Sequence, residues 1–149
     1  MNNHPLPMLA HVAADTILKK NDKILLLKRS PSSKIPGQYS LIGGKCDEGE
    51  SVIDCAIREA YEEIGVQLQT KDLQFAHVVH KIIPGNTKDW IFFFFITESW
   101  QGEPFNKEPE KHCEMTWFPI NELPLSLGET HRQAITKWCN KQYFSILYV

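Results

Sequence analysis

Apolar residues fall into a few blocks separated by turn-forming clusters, and their spacing predicts a strand-rich chain with two helices. Leu9 to Lys19, rich in Ala, Val, Ile and Thr, reads as a strand. Asn21-Asp22 supplies turn chemistry. Lys23-Ile24-Leu25-Leu26-Leu27-Lys28 is an unbroken apolar run closed by charge at both ends, the pattern of a strand buried on both faces. Ser30 to Gln38 carries Pro31, Pro36 and Gly37 and reads as a loop. A short extended piece, Tyr39–Ile42, leads to Gly43-Gly44. Val52, Ala56, Ala60 and Ile64 recur every fourth residue and predict a helix over 51–64 with one greasy face. Ser51 or Glu50 lies near its start, and Gly65 stands where a left-handed C-terminal residue is expected. Two further strands, Leu73–Ile83 and Trp90–Thr97, flank the turn cluster Pro84-Gly85-Asn86. The apolar run Ile91–Ile96 predicts a central place in the sheet for the second of them. A polar loop over Trp100–His112, a strand around Cys113–Phe118 and a helix over Glu129–Lys141 complete the pattern. Strands dominate and the helices stand apart, so the class is α+β or a mixed α/β sandwich.

The length of 149 residues fits one domain spanning the chain. Sixteen Lys and Arg stand against eighteen Asp and Glu, a formal net charge of −2. That balance argues against a nucleic-acid polymer held mainly by phosphate neutralisation, and leaves open a small phosphorylated ligand in a local basic pocket. Cys46, Cys55, Cys113 and Cys139 form no Cys-x-x-Cys pair and no zinc framework, so they read as reduced residues in or near a core. The first residues, Met1 to Pro5, lack a basic region, and His11 and Asp15 interrupt the apolar stretch from Leu6 to Leu18. The apolar run Ile91–Ile96 is six residues, too short to span a bilayer as a helix. The expectation is a soluble cytoplasmic protein, monomer or homodimer, without a membrane partner.

The most informative segment is Gly44 to Val66. On a helix Glu59 and Glu63 are one turn apart and Glu62 is the i+3 neighbour of Glu59, so three carboxylates crowd one side. Like charges at this spacing cost about 0.2–0.5 kcal/mol per pair. Arg58, four residues before Glu62, offsets part of that repulsion, as on an ordinary solvated amphipathic helix. Grouped carboxylates are also what a hard divalent cation requires, because Mg²⁺ takes oxygen ligands and keeps water and substrate phosphate in its other positions. Gly43-Gly44 lets the backbone approach the acidic helix closely enough for a carbonyl to reach the same ion.

The order of residues is Gly44, five residues, Glu50, seven residues, Arg58-Glu59, Ala60, one residue, Glu62-Glu63, one residue, Gly65 and Val66. This resembles a complete Nudix box, the motif of the Nudix hydrolases. The resemblance implies an α/β/α sandwich with a mixed sheet and a loop–helix–loop metal site. It also implies cleavage of nucleoside diphosphates linked to another group. It makes Glu59, Glu62 and Glu63, with the backbone carbonyl of Gly44, the ligands of Mg²⁺ or Mn²⁺. Arg58 would hold the glutamates, Glu50 would fix the loop and Gly65 would close the motif. Glu59, Glu62 and Arg58 would serve catalysis, in a substitution at phosphorus by water with a carboxylate or metal-bound hydroxide as base. The expected partner is a small-molecule nucleotide.

The likeness extends in short patches to the MutT-like branch. Lys28-Arg29 closes the early strand where that branch places basic residues near substrate, and Lys45 joins them as a substrate-binding candidate. Trp100-Gln101-Gly102-Glu103-Pro104, then Lys107-Glu108, resembles the loop that carries an additional catalytic-site glutamate, which assigns that role to Glu108, with Glu110 and Glu114 as neighbouring rivals. Trp117-Phe118 is a candidate lining of the base pocket or a core pair. Ile42 stands where the family very often has proline. Leu123–Glu129 holds no counterpart of the asparagine that recognises oxidised guanine. The position of the proline that marks ADP-ribose pyrophosphatases falls on Lys81. No Ser-Gln-Pro-Trp-type element of NADH pyrophosphatases occurs. The leading expectation is a Mg²⁺-dependent pyrophosphohydrolase that converts a nucleoside triphosphate to a monophosphate and pyrophosphate. The alternatives are a hydrolase of another diphosphate-linked metabolite, such as a nucleotide sugar or dinucleotide, or a non-catalytic nucleotide-binding module. His77 and His80 fall on opposite faces of a strand, which argues against a shared metal, and Phe92–Phe95 reads as core.

Overall fold

The computed structural model describes residues 4–85 and 88–149. Asn86 of the expected turn and Met1 to Asn3 of the N-terminal reading lie outside them. Strand β1 (Ala10–Lys20) turns at Asn21, in a left-handed conformation, into β2 (Lys23–Arg29). After the Pro-containing loop come β3 (Tyr39–Ser40) and β4 (Ile42–Lys45), then helix α1 (Val52–Ile64). A single 3-10 turn, Thr70–Asp72, precedes β5 (Gln74–Ile82), β6 (Asp89–Thr97), β7 (His112–Pro119), helix α2 (Glu129–Cys139) and β8 (Phe144–Tyr148).

The strands form one mixed sheet ordered β3-β2-β1-β6-β5-β8, with β4 paired to β1 and β7 to β2. The apolar run of β6 is central, as its composition predicts. It lies parallel to β1 from Ala10↔Asp89 to Leu18↔Thr97, and antiparallel to β5. Strand β2 is buried on both faces. Ile24 and Leu26 face the cluster that holds Ala134 and Ile135 of α2, whereas Leu25 and Leu27 face Ala60 and Ile64 of α1. The helices therefore cover opposite faces of the sheet, which is an α/β/α sandwich.

Local signals set the helix ends. The Ser51 hydroxyl accepts a hydrogen bond from the Asp54 N–H, capping α1. Gly65, at φ 71°, ends the helix and donates its N–H to the Tyr61 carbonyl. Helix α2 stops at Cys139, two residues short of the expected end, and Lys141 is in the left-handed region at φ 58°.

Gly43-Gly44 and the C-terminal strand depart from expectation, and of the two readings of Trp117-Phe118 the core pair holds. Gly43-Gly44 does not follow an extended piece but lies within one, paired with β1 as Asp15↔Gly43 and Ala14↔Gly44. The pairing is so close that a β-carbon at Gly43 would lie 2.4 Å from the Ala14 carbonyl oxygen. Strand β8 was not expected. It is a five-residue edge element that joins β5 in parallel and gains its order from that pairing. Trp117-Phe118 is packing: Trp117 stacks on Trp100 with centroids 6.1 Å apart, and Phe118 meets the Tyr39 ring edge-on at 5.1 Å. Ile42, in the usual proline position, is fully buried against Leu18, Ala60 and Ile64.

No helix among the described residues is long and apolar enough to cross a membrane. Phe94 is fully buried within the α2-side cluster. Phe94→Ala is expected to cost about 3–5 kcal/mol of stability, read as a lowered urea midpoint with an unchanged slope.

Candidate active site

Arg58 is the centre of the acidic segment. Its Nε and Nη2 fork onto the two carboxylate oxygens of Glu50 at 2.7 and 3.0 Å. Nη1 donates to Glu59 at 2.9 Å and to Glu62 at 3.2 Å, and Nη2 also reaches the Lys45 carbonyl at 3.2 Å. Two parallel bonds to one carboxylate form the strong, directional kind of ion pair. Glu50 in turn accepts the Asp47 N–H at 2.9 Å, so it fastens the loop between β4 and α1 to the helix. These bonds, the Arg58 guanidinium first, hold the Glu50 carboxyl down to about 2.

The glutamates divide by exposure. Glu62 points outward and is half exposed, while Glu59 is largely covered. Glu63 is only 4% exposed and accepts the Gly43 N–H at 2.9 Å. Burial raises its carboxyl well above the usual range, and repulsion from Glu59 adds to this. Glu59 presses against the other glycine, so a β-carbon at Gly44 would lie 2.5 Å from Glu59 Oε1. The Gly44 carbonyl receives the Cys55 thiol at 3.5 Å.

Gly43 and Gly44 border a cavity of about 580 Å³ that is also lined by Asp15, Arg29, Lys45, Trp90, Phe92 and His131 among others. Arg29 and Lys45 therefore stand in the cavity wall. Lys28 does not, and its expected place beside them is corrected. Successive strand residues face opposite ways, and Lys28 lies over the Tyr39 ring at 5.5 Å. The ladder between β2 and β7 also shifts register between Lys28 and Arg29, a bulge of the kind that re-aims a side chain. On the far wall Trp90 stacks on Phe92 with centroids 5.4 Å apart, and His131 meets Phe94 edge-on. Phe92 thus serves both core and cavity. His131 accepts the Leu41 N–H on Nδ1, and burial drives its pKa down to about 4.

The loop before β7 is latched to the end of α1. Phe105 N–H donates to the Ile64 carbonyl, Lys107 N–H to the Glu63 carbonyl, and the Lys107 ammonium sits 3.5 Å from the Tyr61 ring centre. Glu108 follows, paired to Lys111 at 2.7 Å, with its carbonyl accepting the N–H groups of Lys111 and His112. The latch brings the Glu108 segment beside Glu63, whose side chain approaches His112 Nε2 at 3.5 Å. Burial, then Arg29, lowers the His112 pKa to about 4, so at neutral pH this approach is a polar contact rather than an ion pair. The rivals lie elsewhere: Glu114 accepts the Tyr39 hydroxyl, and Glu110 is exposed.

Asp15, His112, Trp90 and His131 are the side chains at this site that the sequence reading did not single out for it. Asp15 carried one signal, an acid amid the apolar stretch of β1. His112 and His131 carry no spacing that points here, since the fold alone brings β7 and α2 to the cavity. His77 and His80 are indeed separate: His77 lies between the Gln142 carbonyl and Ser145, and His80 pairs with Asp89.

A divalent cation fits the donor set, because Glu59, Glu62, Glu63 and the Gly44 carbonyl offer only oxygen and the buried Glu63 stands near the Glu59 and Asp15 carboxylates, a repulsion that the Arg29 charge offsets in part. Among the described residues the one group of three His, Cys, Asp or Glu side chains whose ligand atoms lie within 4.8 Å of one another is Cys46, Glu50 and Cys55. That group is packing, because Glu50 is committed to Arg58 and burial keeps the Cys55 thiol protonated.

Comparison with known proteins agrees with the geometry. A family model described as NUDIX domain matches residues 9–139. The chain is 28% identical over 110 residues to the 8-oxo-dGTP diphosphatase of Escherichia coli, covering 74% of this chain and 82% of that protein. It is 32% identical over 132 residues to the ADP-ribose pyrophosphatase of Methanocaldococcus jannaschii, covering 87% and 75%. The crystal structure of a MutT NUDIX hydrolase from Burkholderia pseudomallei matches with a TM-score of 0.76 and 30% identity, over 85% of this chain and 96% of that one. The chain belongs to the Nudix hydrolases, a family of enzymes that generally use divalent metal ions.

The Arg58–Glu50 fork sets a pH dependence. The folded carboxyl titrates near 2 against an ordinary value of 4.5, so its contribution is full above about pH 4.5 and is lost as pH falls through about 2. Glu50→Gln is expected to cost about 1–2 kcal/mol at pH 7. In parallel denaturation series the gap from wild type should narrow steadily between pH 5 and 2.

Proposed function

We propose that this chain is a Mg²⁺-dependent pyrophosphohydrolase that converts a nucleoside triphosphate to a monophosphate and pyrophosphate by attack of water at phosphorus, with Mn²⁺ as a substitute ion. One observation carries the reading. Glu59 and Glu63 are packed against Gly44 and Gly43, and those glycines line a cavity that also holds Arg29, Lys45 and an aromatic wall. Anionic and cationic groups thus meet at one end, where a phosphate chain and its cation both need partners, and a flat apolar surface lies farther along for a base.

Glu59, Glu62, Glu63 and the Gly44 carbonyl would hold the ion. Arg58 keeps Glu59 in place through a hydrogen bond that leaves its second oxygen available. When bound, a divalent ion offsets the negative charge of the phosphoryl oxygens and orients water for in-line attack. Arg29 and Lys45 neutralise phosphate oxygens from the cavity wall. Glu108, paired to Lys111 in the segment latched to the Glu63 carbonyl, would accept a proton from water. Trp90 and Phe92 offer a stacking face for the base. The likeness to the ADP-ribose pyrophosphatase supports a second reading, in which the same groups act on the diphosphate of a nucleoside diphosphate sugar.

Hydrolysis of a panel with Mg²⁺ separates the two. Canonical and oxidised triphosphates are expected to yield monophosphate and pyrophosphate. Release of ribose 5-phosphate from ADP-ribose, with triphosphates untouched, would establish the second reading instead. Glu59→Gln and Glu63→Gln should each lower kcat by at least ~100-fold with the fold retained. Trp90→Ala should raise KM roughly tenfold and leave kcat nearly unchanged, as expected when a stacking contact worth ~1–3 kcal/mol is lost.

A further inference from the structure

The box leaves one carboxylate of the site unexplained. Asp15 lies on β1 opposite Gly43 and is 4% exposed. Its Oδ1 abuts Gly43, 2.4 Å from where a β-carbon would stand, and its Oδ2 is fully enclosed with no hydrogen-bond partner. The side chain lines the same cavity as Gly44 and Arg29. Three carboxylates therefore converge on one glycine pair: Asp15 from the sheet, and Glu59 and Glu63 from successive turns of α1. Arg29 is the cation nearby and its charge favours the Asp15 carboxylate, yet its Nε is itself buried without a partner and it makes no hydrogen bond to Asp15 Oδ2. A buried carboxylate oxygen with no donor, facing two more carboxylates, is an unfavourable arrangement unless a cation enters.

We propose that Asp15 contributes its carboxylate to the divalent-cation site, so that the ion is held from β1 as well as from β4 and α1. The inference rests on the proposed cation site at Glu59 and Glu63. It adds a residue that lies outside the box motif and on the opposite side of the glycine pair from the helix. A neutral side chain of the same shape at this position removes repulsion from the empty site and attraction from the filled one. Asp15→Asn should therefore stabilise the metal-free protein and weaken its hold on metal.

The test is titration of the full chain with Mn²⁺ alone, without nucleotide, followed by calorimetry and by the electron paramagnetic resonance signal of free Mn²⁺. Thermal unfolding is measured alongside, in chelator and in saturating Mg²⁺. For Asp15→Asn a loss of affinity of about tenfold or more is expected, together with a higher Tm in chelator and a smaller Mg²⁺-induced rise. Asp15→Ser, which keeps an oxygen but no charge, should follow it and serves if the amide variant folds poorly. Unchanged Mn²⁺ affinity with a raised KM for nucleotide would overturn the proposal and make Asp15 a substrate contact. Glu59→Gln is the control. If it loses Mn²⁺ while Asp15→Asn keeps it, only this inference falls. If the wild type takes up no Mn²⁺, the cation site and this inference fall together.

Discussion

Gly43 and Gly44 bring the backbone of β4 against β1 on one side and against α1 on the other, and the arrangement of the site's acids follows from that contact. A side chain at Gly43 would strike the Ala14 carbonyl, which is fixed by the β1 ladder, and one at Gly44 would strike the Glu59 carboxylate. With neither present, the Gly43 N–H reaches Glu63 and the Gly44 carbonyl stands beside the acidic helix. Glycine loses more conformational freedom on folding than other residues. Here that cost is accepted within a strand because the backbone itself supplies polar groups to the site.

The second requirement is that mutually repelling carboxylates stay where they are. One guanidinium does much of this work. Arg58 forks onto Glu50, so its orientation is fixed before it touches Glu59 and Glu62. Glu50 therefore acts at one remove, through the arginine and through the Asp47 N–H that tightens the loop. Glu63 has no such partner. It is buried, depends on a single backbone donor and faces the neutral His112, and the Arg29 charge offsets only part of the repulsion from Glu59 and Asp15.

What was legible in the chain were the features written into local spacing. The four-residue repeat from Val52 to Ile64 fixed α1 and its buried face, the six-residue run in β6 predicted a central strand, and the acids of α1 were adjacent by helical geometry alone. The site's remaining members come from sequence-distant elements and have no shared period. Asp15 enters through strand pairing, His112 through the latch on the end of α1, and His131 through the docking of α2. Lys28 and Arg29 were expected to act together, and strand alternation with a local bulge separates them. The pair Trp117-Phe118 and the pair Trp90 and Phe92 look alike as aromatic signals. Only the topology decides that the former packs inside and the latter borders the cavity.

On the proposed reading this separation has a functional meaning. The groups that would hold the ion belong to β1, β4 and α1, while the wall farther from it is formed by Trp90, Phe92, Lys81, Leu147 and His131 from β5, β6, β8 and α2. The first set is constrained by glycine contact, by the Arg58 fork and by burial, and little in it can change without losing the carboxylate geometry. The second set is an apolar surface with scattered polar groups, and its side chains can be exchanged without disturbing the first. Proteins with this architecture can therefore share one hydrolytic centre and differ in what occupies the far wall. That accounts for similarity of one chain both to a protein named for an oxidised nucleoside triphosphate and to one named for ADP-ribose.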